Sequence, residues 1–259
     1  MTAERVALVT AGANGIGRAI AETLAAQGVA VFICDIDKQA LESCLADNPE
    51  MRGSVVDVAV PAEVDQLFME LAKYYDRLDI LVNNAGIAGP TALVEDIRRD
   101  DWERTIAVDL NSVFYVTQLA TPMLKASAGS VVNIASNAAM FGFPMRSPYT
   151  AAKWALIGLT KTWAMEMGPY GVNVNALCPG SVSGARIDGV IERDALERSV
   201  KPADIRKVYQ RQSSMRVFVS PQEVAAMAAF LCSPAGHNIS GQSLAIDGHT
   251  EGLSNWLDE

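Results

Sequence analysis

The chain has 259 residues, of which 50% are hydrophobic and 20% charged, with a formal net charge of −9. This composition is typical of a globular protein and excludes collagen, a disulfide scaffold and a disordered tail protein. Nucleic acids and anionic membranes attract basic surfaces, so the acidic charge predicts that the protein binds neither.

Short apolar runs alternate along the chain with segments of helical length. Most of the runs show no polar alternation, which is typical of strands covered on both faces of a parallel sheet. The predicted strands are 6–9, 29–33, 55–56, 80–82, 130–134, 172–176 and 244–246. No internal repeat interrupts this alternation.

Helices are predicted between these strands, at 15–27, 37–46, 61–75, 101–126, 148–168 and 221–232. Pro61 and Pro221 suit first-turn helical positions, whereas Pro122 is expected to bend or end its helix. The alternation of strands and helices predicts an α/β fold with a doubly wound parallel sheet and helices on both faces. We interpret residues 1–259 as a single domain.

A glycine-rich turn at residues 10–17 follows the first predicted strand and leads into a helix. A turn without side chains lets the backbone approach a pyrophosphate, and the free N–H groups at a helix start attract it. This context predicts a dinucleotide phosphate site, although glycines also mark ordinary turns. The candidate residues are Gly12, Asn14, Gly15, Ile16 and Gly17.

Asp35 follows the second predicted strand, about 20 residues beyond the glycine turn. A carboxylate at this place accepts hydrogen bonds from the adenosine ribose and repels a 2′-phosphate. Asp37 adds negative charge, so the sequence favours NAD over NADP. Asp35 also suits a simple strand-end turn. Asp57, beside Val58, is a candidate acceptor for the adenine amino group or a plain turn residue.

Tyr149 and Lys153 are four residues apart at the start of a predicted helix, which places them on one helix face. A free tyrosine has a pKa of about 10 and is a poor base at neutrality, but a neighbouring cation stabilises the phenolate. The pair therefore suits proton transfer to and from a substrate oxygen. Ser136, after the fifth strand, is expected to hold the same oxygen. Taken alone, the pair also fits a solvated helix face.

Taken together, these segments resemble the classical short-chain dehydrogenase/reductase family over nearly the whole chain. The resemblance rests on segments 10–17, 83–86 and 178–180 and on Asn111, Ser136, Tyr149 and Lys153. It implies a Rossmann-type domain with about seven strands, and hydride transfer between a nicotinamide and an alcohol or carbonyl carbon. It also implies a homotetramer in which helices 101–126 and 148–168 pair.

The resemblance further implies roles for individual residues. Tyr149 becomes the general acid/base, Lys153 lowers its pKa and binds the nicotinamide ribose, and Ser136 positions the substrate oxygen. Asn111 holds a water that relays protons through Lys153, or else satisfies a kinked helix backbone. Further cofactor contacts are implied for Asn83, Ala85, Gly86, Pro179, Gly180 and Val182.

Two positions depart from the family pattern. Ala11 stands where the family has its first glycine, and a positive φ there would strain alanine by about 1–2 kcal/mol. We expect a tolerant or slightly shifted turn instead. After Gly180, the run Ser181-Val182-Ser183 replaces a family threonine that holds the carboxamide. Which hydroxyl takes that role is left open.

Residues 181–216 are polar, charged and predicted to contain no strand. The resemblance implies that this segment covers the substrate as a lid. The part from 184 to 216 has eight Lys and Arg against five Asp and Glu. Local positive charge attracts anions, and we take Arg186 as the candidate contact, although a solvated amphipathic helix has the same composition. A small sugar, polyol or hydroxy acid is expected, while Phe141 and Phe143 leave a hydrophobic alcohol open.

The leading hypothesis is an NAD-dependent alcohol dehydrogenase. The alternatives are an NADPH-dependent 3-oxoacyl reductase, which Asp35 opposes, and a non-catalytic protein that senses dinucleotides, which the intact Ser136, Tyr149 and Lys153 oppose. The role of the tail, residues 251–259, is open. Trp256 is a candidate anchor on a neighbouring subunit.

The cysteines and histidines are not spaced as metal ligands. They are Cys34, Cys44, Cys178, Cys232, His237 and His249. We therefore predict no metal site and buried reduced thiols in a cytoplasmic protein. The N-terminal run lacks a basic stretch before a long apolar segment, so no signal peptide is expected.

Overall fold

The structure, a computed structural model, describes residues 5–253. Seven parallel strands form one sheet in the order β3-β2-β1-β4-β5-β6-β7. The strands are β1 Val6–Thr10, β2 Ala30–Asp35, β3 Arg52–Val55, β4 Ile80–Asn83, β5 Ser130–Ile134, β6 Asn173–Pro179 and β7 Ser243–Ile246. The predicted doubly wound parallel sheet is confirmed.

Helices connect the strands and cover both faces of the sheet. They are α1 Gly15–Ala25, α2 Lys38–Asp47, α3 Pro61–Leu71, α4 Arg99–Ile106, α5 Ser112–Ser127, α6 Ser147–Met167, α7 Ala185–Glu197, α8 Pro202–Arg211 and α9 Pro221–Leu231. Short 3-10 turns lie at Val94–Asp96, Asn137–Ala139, Gly168–Tyr170 and Pro234–Gly236. Pro61 and Pro221 occupy first-turn positions, as predicted.

Successive residues of the central strand face opposite sides of the sheet. Leu8 packs in the core formed with α3, α5 and α6. Val9 packs in the core formed with α1, α2 and α9. Because both sides of β1 are buried, its apolar run shows no alternation.

The predicted helix 101–126 is confirmed in its extent, because the chain is helical from Arg99 to Ser127, but it is not a uniform α-helix. A π-helical turn at Ala107–Asn111 separates α4 from α5. Pro122 lies inside α5, which continues to Ser127 instead of ending at the proline. Pro122 is exposed, so water can satisfy the carbonyl that loses its helical partner.

Strand β3 differs from the buried run predicted at 55–56. It spans Arg52–Val55, pairs only with β2 and is partly exposed. An edge strand tolerates polar residues because one side faces water. The apolar run at 55–56 therefore indicated only Val55, the last residue of the strand.

The predicted lid contains two helices, and no strand is assigned between residues 181 and 216. Val190 and Ile191 of α7 pack on Ile205 and Tyr209 of α8 in a small core of their own. One parallel bridge from Val182 ties the start of this segment to the main body.

All four cysteines are buried and unpaired, as predicted. Burial raises the pKa of Cys178 to about 11 and those of Cys34 and Cys232 to about 12. These thiols therefore stay protonated at neutral pH. In the described part of the chain, no helix has the length and apolarity needed to cross a membrane. The hypothesis for Trp256 lies outside the described residues.

Candidate active site

A cavity of about 570 Å³ opens at the carboxyl ends of the strands. The strand order reverses between β1 and β4, and open α/β sheets bind ligands at such a switch point. On one side the cavity is lined by Asn14, Gly15, Ile16 and Asp35. On the other side lie Gly86, Ser136, Tyr149, Lys153, Pro179, Gly180, Val182 and Arg186.

The glycine turn presents the start of α1 to this cavity. Asn14, the N-cap of α1, makes no side-chain capping hydrogen bond. The first N–H groups of the helix therefore lack a side-chain acceptor, and Gly15 lines the cavity with φ of 54°. Such N–H groups and the helix dipole suit a phosphate.

Two glycines of the turn serve close packing instead of lining the cavity. A Cβ on Gly17 would lie 2.1 Å from the Ala11 carbonyl oxygen, and one on Gly12 would lie 2.7 Å from Ile33 Cβ. Asn84 Nδ2 donates to the carbonyls of Thr10 and Ala11, each at 3.0 Å. These contacts hold the turn against β2 and β4.

Ala11 adopts the left-handed backbone conformation, with φ of 48°. The turn is therefore not shifted away from this position, in contrast to our expectation. The conformation costs alanine about 1–2 kcal/mol. The fold holds this strain next to the cofactor cradle.

Replacing Ala11 with Gly is expected to raise the free energy of unfolding by about 0.5–1 kcal/mol. Glycine relieves the positive-φ strain, although it gains freedom in the unfolded chain. Urea unfolding measures the change. Ala26→Gly is the matched control, because Ala26 has φ of −61° and its replacement is expected to destabilise. Equal destabilisation by both changes would contradict the strain at Ala11.

Asp35 ends β2 at the rim of the cavity and is 9% exposed. Its carboxylate accepts hydrogen bonds from the backbone N–H groups of Ala13 and Asp37, each at 3.1 Å. These bonds fix its orientation and leave further acceptor positions on both oxygens. The residue can thus hold a diol.

Asp57 and Val58 lie outside the lining of the cavity. The Asp57 carboxylate accepts from the Ala59 N–H at 3.0 Å and pairs with Arg104 at 3.1 Å. Val58 is buried in the core. Their cofactor roles stay predictions.

Lys153 is buried one helical turn beyond Tyr149 on α6. Its Nζ lies 5.6 Å from the centroid of the Tyr149 ring and donates to the Ile134 carbonyl at 3.0 Å. Ser136 accepts a hydrogen bond from the Ala138 N–H at 3.1 Å. The structure thus brings the three predicted catalytic side chains to one cavity.

Sequence reasoning missed Asp109, a fully buried residue of the π-helical turn. Its Oδ1 accepts from the Ile87 N–H at 2.7 Å, while its Oδ2 lies 4.0 Å from Lys153 Nζ. Burial raises the pKa of Asp109, and Lys153 and the Ile87 N–H oppose that rise. Asn111 ends the same turn but is not part of the described cavity lining. Asp109 could have been found from the sequence as the one charged residue in the otherwise apolar run 106–110.

Replacing Asp109 with Asn is expected to move the acid limb of the kcat profile down by about one pH unit. At pH values above its own pKa, Asp109 is a carboxylate whose negative charge offsets the positive charge of Lys153. The Lys153 ammonium would then stabilise a Tyr149 phenolate less than it does beside a neutral residue. The amide lacks that charge but keeps an acceptor for Ile87. The profile is measured from initial rates, and Asn111→Ala is the comparison. A shift in the Asn111 variant alone would assign the relay to Asn111.

The remaining predicted cofactor residues divide into two groups. Asn83 is buried and donates to Thr117 Oγ1 and Asn133 Oδ1, and Ala85 is buried in the core. These two support the strand ends. Gly86 lies close to Lys153, since a Cβ there would approach Lys153 Nζ to 3.3 Å. Ser181 and Ser183 both line the cavity, so the structure leaves both hydroxyls available.

Arg186 lies at the start of α7 and lines the cavity with an exposed side chain. The structure adds Arg146, Tyr209 and Gln212, which sequence reasoning missed. Arg146 directly precedes the Ser147-Pro148-Tyr149 run, so a cation beside the tyrosine motif was the available signal.

The residues present fit a dinucleotide. The crowding around Gly17 and Gly12, the free helix start and the fixed Asp35 carboxylate form a cradle for a diphosphate and a ribose. The cavity continues from this cradle to Tyr149 and Lys153. A nicotinamide ring would therefore lie near the proton-transfer residues.

Comparison with known proteins agrees with this geometry. Residues 10–250 match a family model described as enoyl-(acyl carrier protein) reductase. The chain is 34% identical to the 3-oxoacyl-[acyl-carrier-protein] reductase FabG of Thermotoga maritima, covering 94% of this chain and 96% of that protein. It is 36% identical to the trans-4-hydroxycyclohexanecarboxylate dehydrogenase of Sinomonas cyclohexanicum, covering 95% and 92%.

A solved structure of similar fold is that of a single-residue variant of actinorhodin polyketide ketoreductase with NADPH. It superposes with a TM-score of 0.91 at 31% identity and covers 98% of each chain. The chain is therefore an oxidoreductase that belongs to the short-chain dehydrogenase/reductase family.

Proposed function

We propose that the protein is an NAD-dependent oxidoreductase that interconverts an alcohol and a carbonyl on a small polar substrate. The observation that carries this proposal is one cavity with Asp35 at one end and the Tyr149–Lys153 pair at the other. The first feature selects the coenzyme and the second moves a proton.

The chain's own residues perform the acid–base part of the reaction. Tyr149 takes the hydroxyl proton of the alcohol, and Ser136 donates a hydrogen bond to the same oxygen. The buried Lys153 ammonium stabilises the phenolate. Bound NAD⁺ would supply the hydride acceptor for the carbinol carbon, so that an alcohol and NAD⁺ would be converted reversibly into a carbonyl compound, NADH and one proton.

Asp35 supports NAD as the coenzyme. Its buried carboxylate lies where the adenosine ribose would bind, and Asp37 follows two residues later with its own charge. A 2′-phosphate at this place would meet both carboxylates. Ile36, between them, is 59% exposed and offers no positive charge.

The alternative of an NADPH-dependent 3-oxoacyl reductase draws support from the relative named FabG and from the ketoreductase structure with NADPH. Asp35 argues against it. A protein that only senses dinucleotides needs no proton donor, so Ser136, Tyr149 and Lys153 in one cavity argue against that reading.

The substrate is proposed to be a sugar, polyol or hydroxy acid, with an acidic group favoured by Arg186 in the lining. Initial rates on neutral and anionic alcohols with NAD and NADP test the proposal. Turnover with higher kcat/KM for NAD supports it. Turnover of 3-oxoacyl thioesters with a preference for NADPH would favour the alternative instead.

We further propose one domain with residues 181–216 as its lid, assembled into a homotetramer through α4 to α6. Trp102, Phe114, Trp154 and Met165 are exposed on these helices, and such apolar side chains suit an interface. The cytoplasmic location is proposed from the four free thiols. Light scattering measures the assembly.

A further inference from the structure

Arg146 is an unusual residue in the cavity because it is almost completely buried. Its side chain is 2% exposed and ranks among the largest fully buried side chains. It is the residue immediately before α6, and it lines the same cavity as Tyr149. Arginine is rarely buried to this extent unless an anion pairs with it.

The described residues give the Arg146 guanidinium few partners. Nη1 donates to the Ala88 carbonyl over 3.4 Å, while Nε and Nη2 are buried and find no acceptor among residues 5–253. No carboxylate in that range forms an ion pair with Arg146. A buried charge with unmatched donors is unfavourable, so the site is incomplete as it stands.

Asp194, a buried acid that contacts Tyr209, does not complete the site. Asp194 is fully buried, but Arg198 Nε holds its Oδ1 at 2.5 Å and the Tyr209 hydroxyl donates to its Oδ2 at 3.4 Å. Burial raises the pKa of Tyr209, and both the charge of Arg146 and a hydrogen bond between the two side chains oppose that rise, which places the guanidinium beside the phenol. Asp194 thus belongs to a neighbouring network, and Arg146 has donors to spare.

We propose that Arg146 binds a carboxylate of the substrate through its two unmatched donors, Nε and Nη2, so that the enzyme acts on a short hydroxy acid and its oxo acid. A carboxylate matches the planar guanidinium with two parallel hydrogen bonds. The proposal rests on the proposed function for the reaction at the other end of the substrate. It assigns the anion to the buried Arg146, with the exposed Arg186 contributing long-range attraction.

The charge of the cavity agrees with an anionic substrate. The described lining contains three cationic side chains, those of Arg146, Lys153 and Arg186. Its single carboxylate is that of Asp35, which lies at the coenzyme end. Arg146 directly precedes α6 and Tyr149 is the third residue of that helix, so we expect only a few bonds between the carboxylate and the reacting carbon. The nicotinamide must share the cavity, which favours a short acid.

The chain of the acid finds an apolar wall beside Arg146. The rings of Phe143 and Tyr209 meet edge to face, with centroids 6.5 Å apart. The guanidinium carbon of Arg146 lies 5.9 Å from the Phe143 centroid. A few methylene groups between the carboxylate and the carbinol carbon would pack against these rings.

Calorimetric titration with butyrate and its neutral isostere butyramide tests the inference without turnover. Both ligands are titrated at neutral pH into the free protein and into its NADH complex. We expect butyrate to bind about 10-fold tighter or more, because hydrogen bonds to charged groups are the stronger ones. In Arg146→Leu the preference is expected to vanish, and in Arg146→Lys to fall to an intermediate ratio.

Arg193→Leu is the matched control, because Arg193 lies on the same lid, is exposed and is not part of the described lining. It is expected to keep the butyrate preference. Equal or absent binding of the two ligands by the wild type overturns the inference. So does a preference that persists in Arg146→Leu. A separate result would show that the proposed function fails: the wild type would not bind NADH, while the free protein would still prefer butyrate.

Discussion

Replacement of Tyr149 by Phe is expected to lower kcat by about 10²–10⁴-fold, the usual contribution of a general acid/base. Phe keeps the ring, and with it the contact 5.6 Å from Lys153 Nζ. Only the phenolic hydroxyl, which carries the exchangeable proton, is lost. Initial rates at saturating substrate and coenzyme measure the effect, and NADH affinity is expected to stay close to that of the wild type.

Tyr170→Phe is the control for this change. Tyr170 is also a tyrosine beside a lysine, with Lys125 Nζ 4.1 Å from its ring centroid, but it is 54% exposed and is not part of the described cavity lining. It is expected to retain full turnover. A Tyr149→Phe enzyme that also retained full turnover would remove Tyr149 from the proton-transfer step.

The double replacement Asp35→Ser and Ile36→Arg is expected to raise the ratio of NADP to NAD efficiency on the order of 100-fold. The change removes the carboxylate that we propose to hold the ribose and to repel a 2′-phosphate. It also adds a guanidinium at a position whose side chain is already 59% exposed. Hydrogen bonds to charged groups contribute about 1.5–3 kcal/mol each, which gives this magnitude.

Asp37→Ser separates the local role of Asp35 from net charge. Asp37 caps α2 by accepting from the Ala40 N–H at 3.0 Å, and serine preserves that type of cap. The ratio of kcat/KM with the two coenzymes is expected to change much less than in the double variant. An equal change in both variants would show that general charge, and not contact with the ribose, sets the preference.

The sequence predicted the features whose physical causes are local. Buried parallel strands need apolar runs, so most strands were placed to within a residue or two. Tyr149 and Lys153 were paired because four residues make about one helical turn. The glycine turn and Asp35 follow consecutive strands, and parallel strands deliver their carboxyl ends to one edge of the sheet.

Features that depend on distant contacts escaped prediction. Asp109 becomes significant because the fold brings it to Lys153 and to the Ile87 N–H. Arg146 becomes significant because the fold buries it beside Tyr209 of α8 and because its acceptor lies far away in sequence, at Ala88. The π-helical turn at Ala107–Asn111 escaped as well, since neither proline nor glycine marks it in the sequence.

A fluorescence titration of the protein with NADH and, separately, with NADPH tests the proposed dinucleotide site and its preference for NAD most directly. We expect saturable binding of one NADH per chain and clearly weaker binding of NADPH. Tighter binding of NADPH would contradict the role of Asp35. Absence of saturable binding by either coenzyme would contradict both the dinucleotide site and the proposed function.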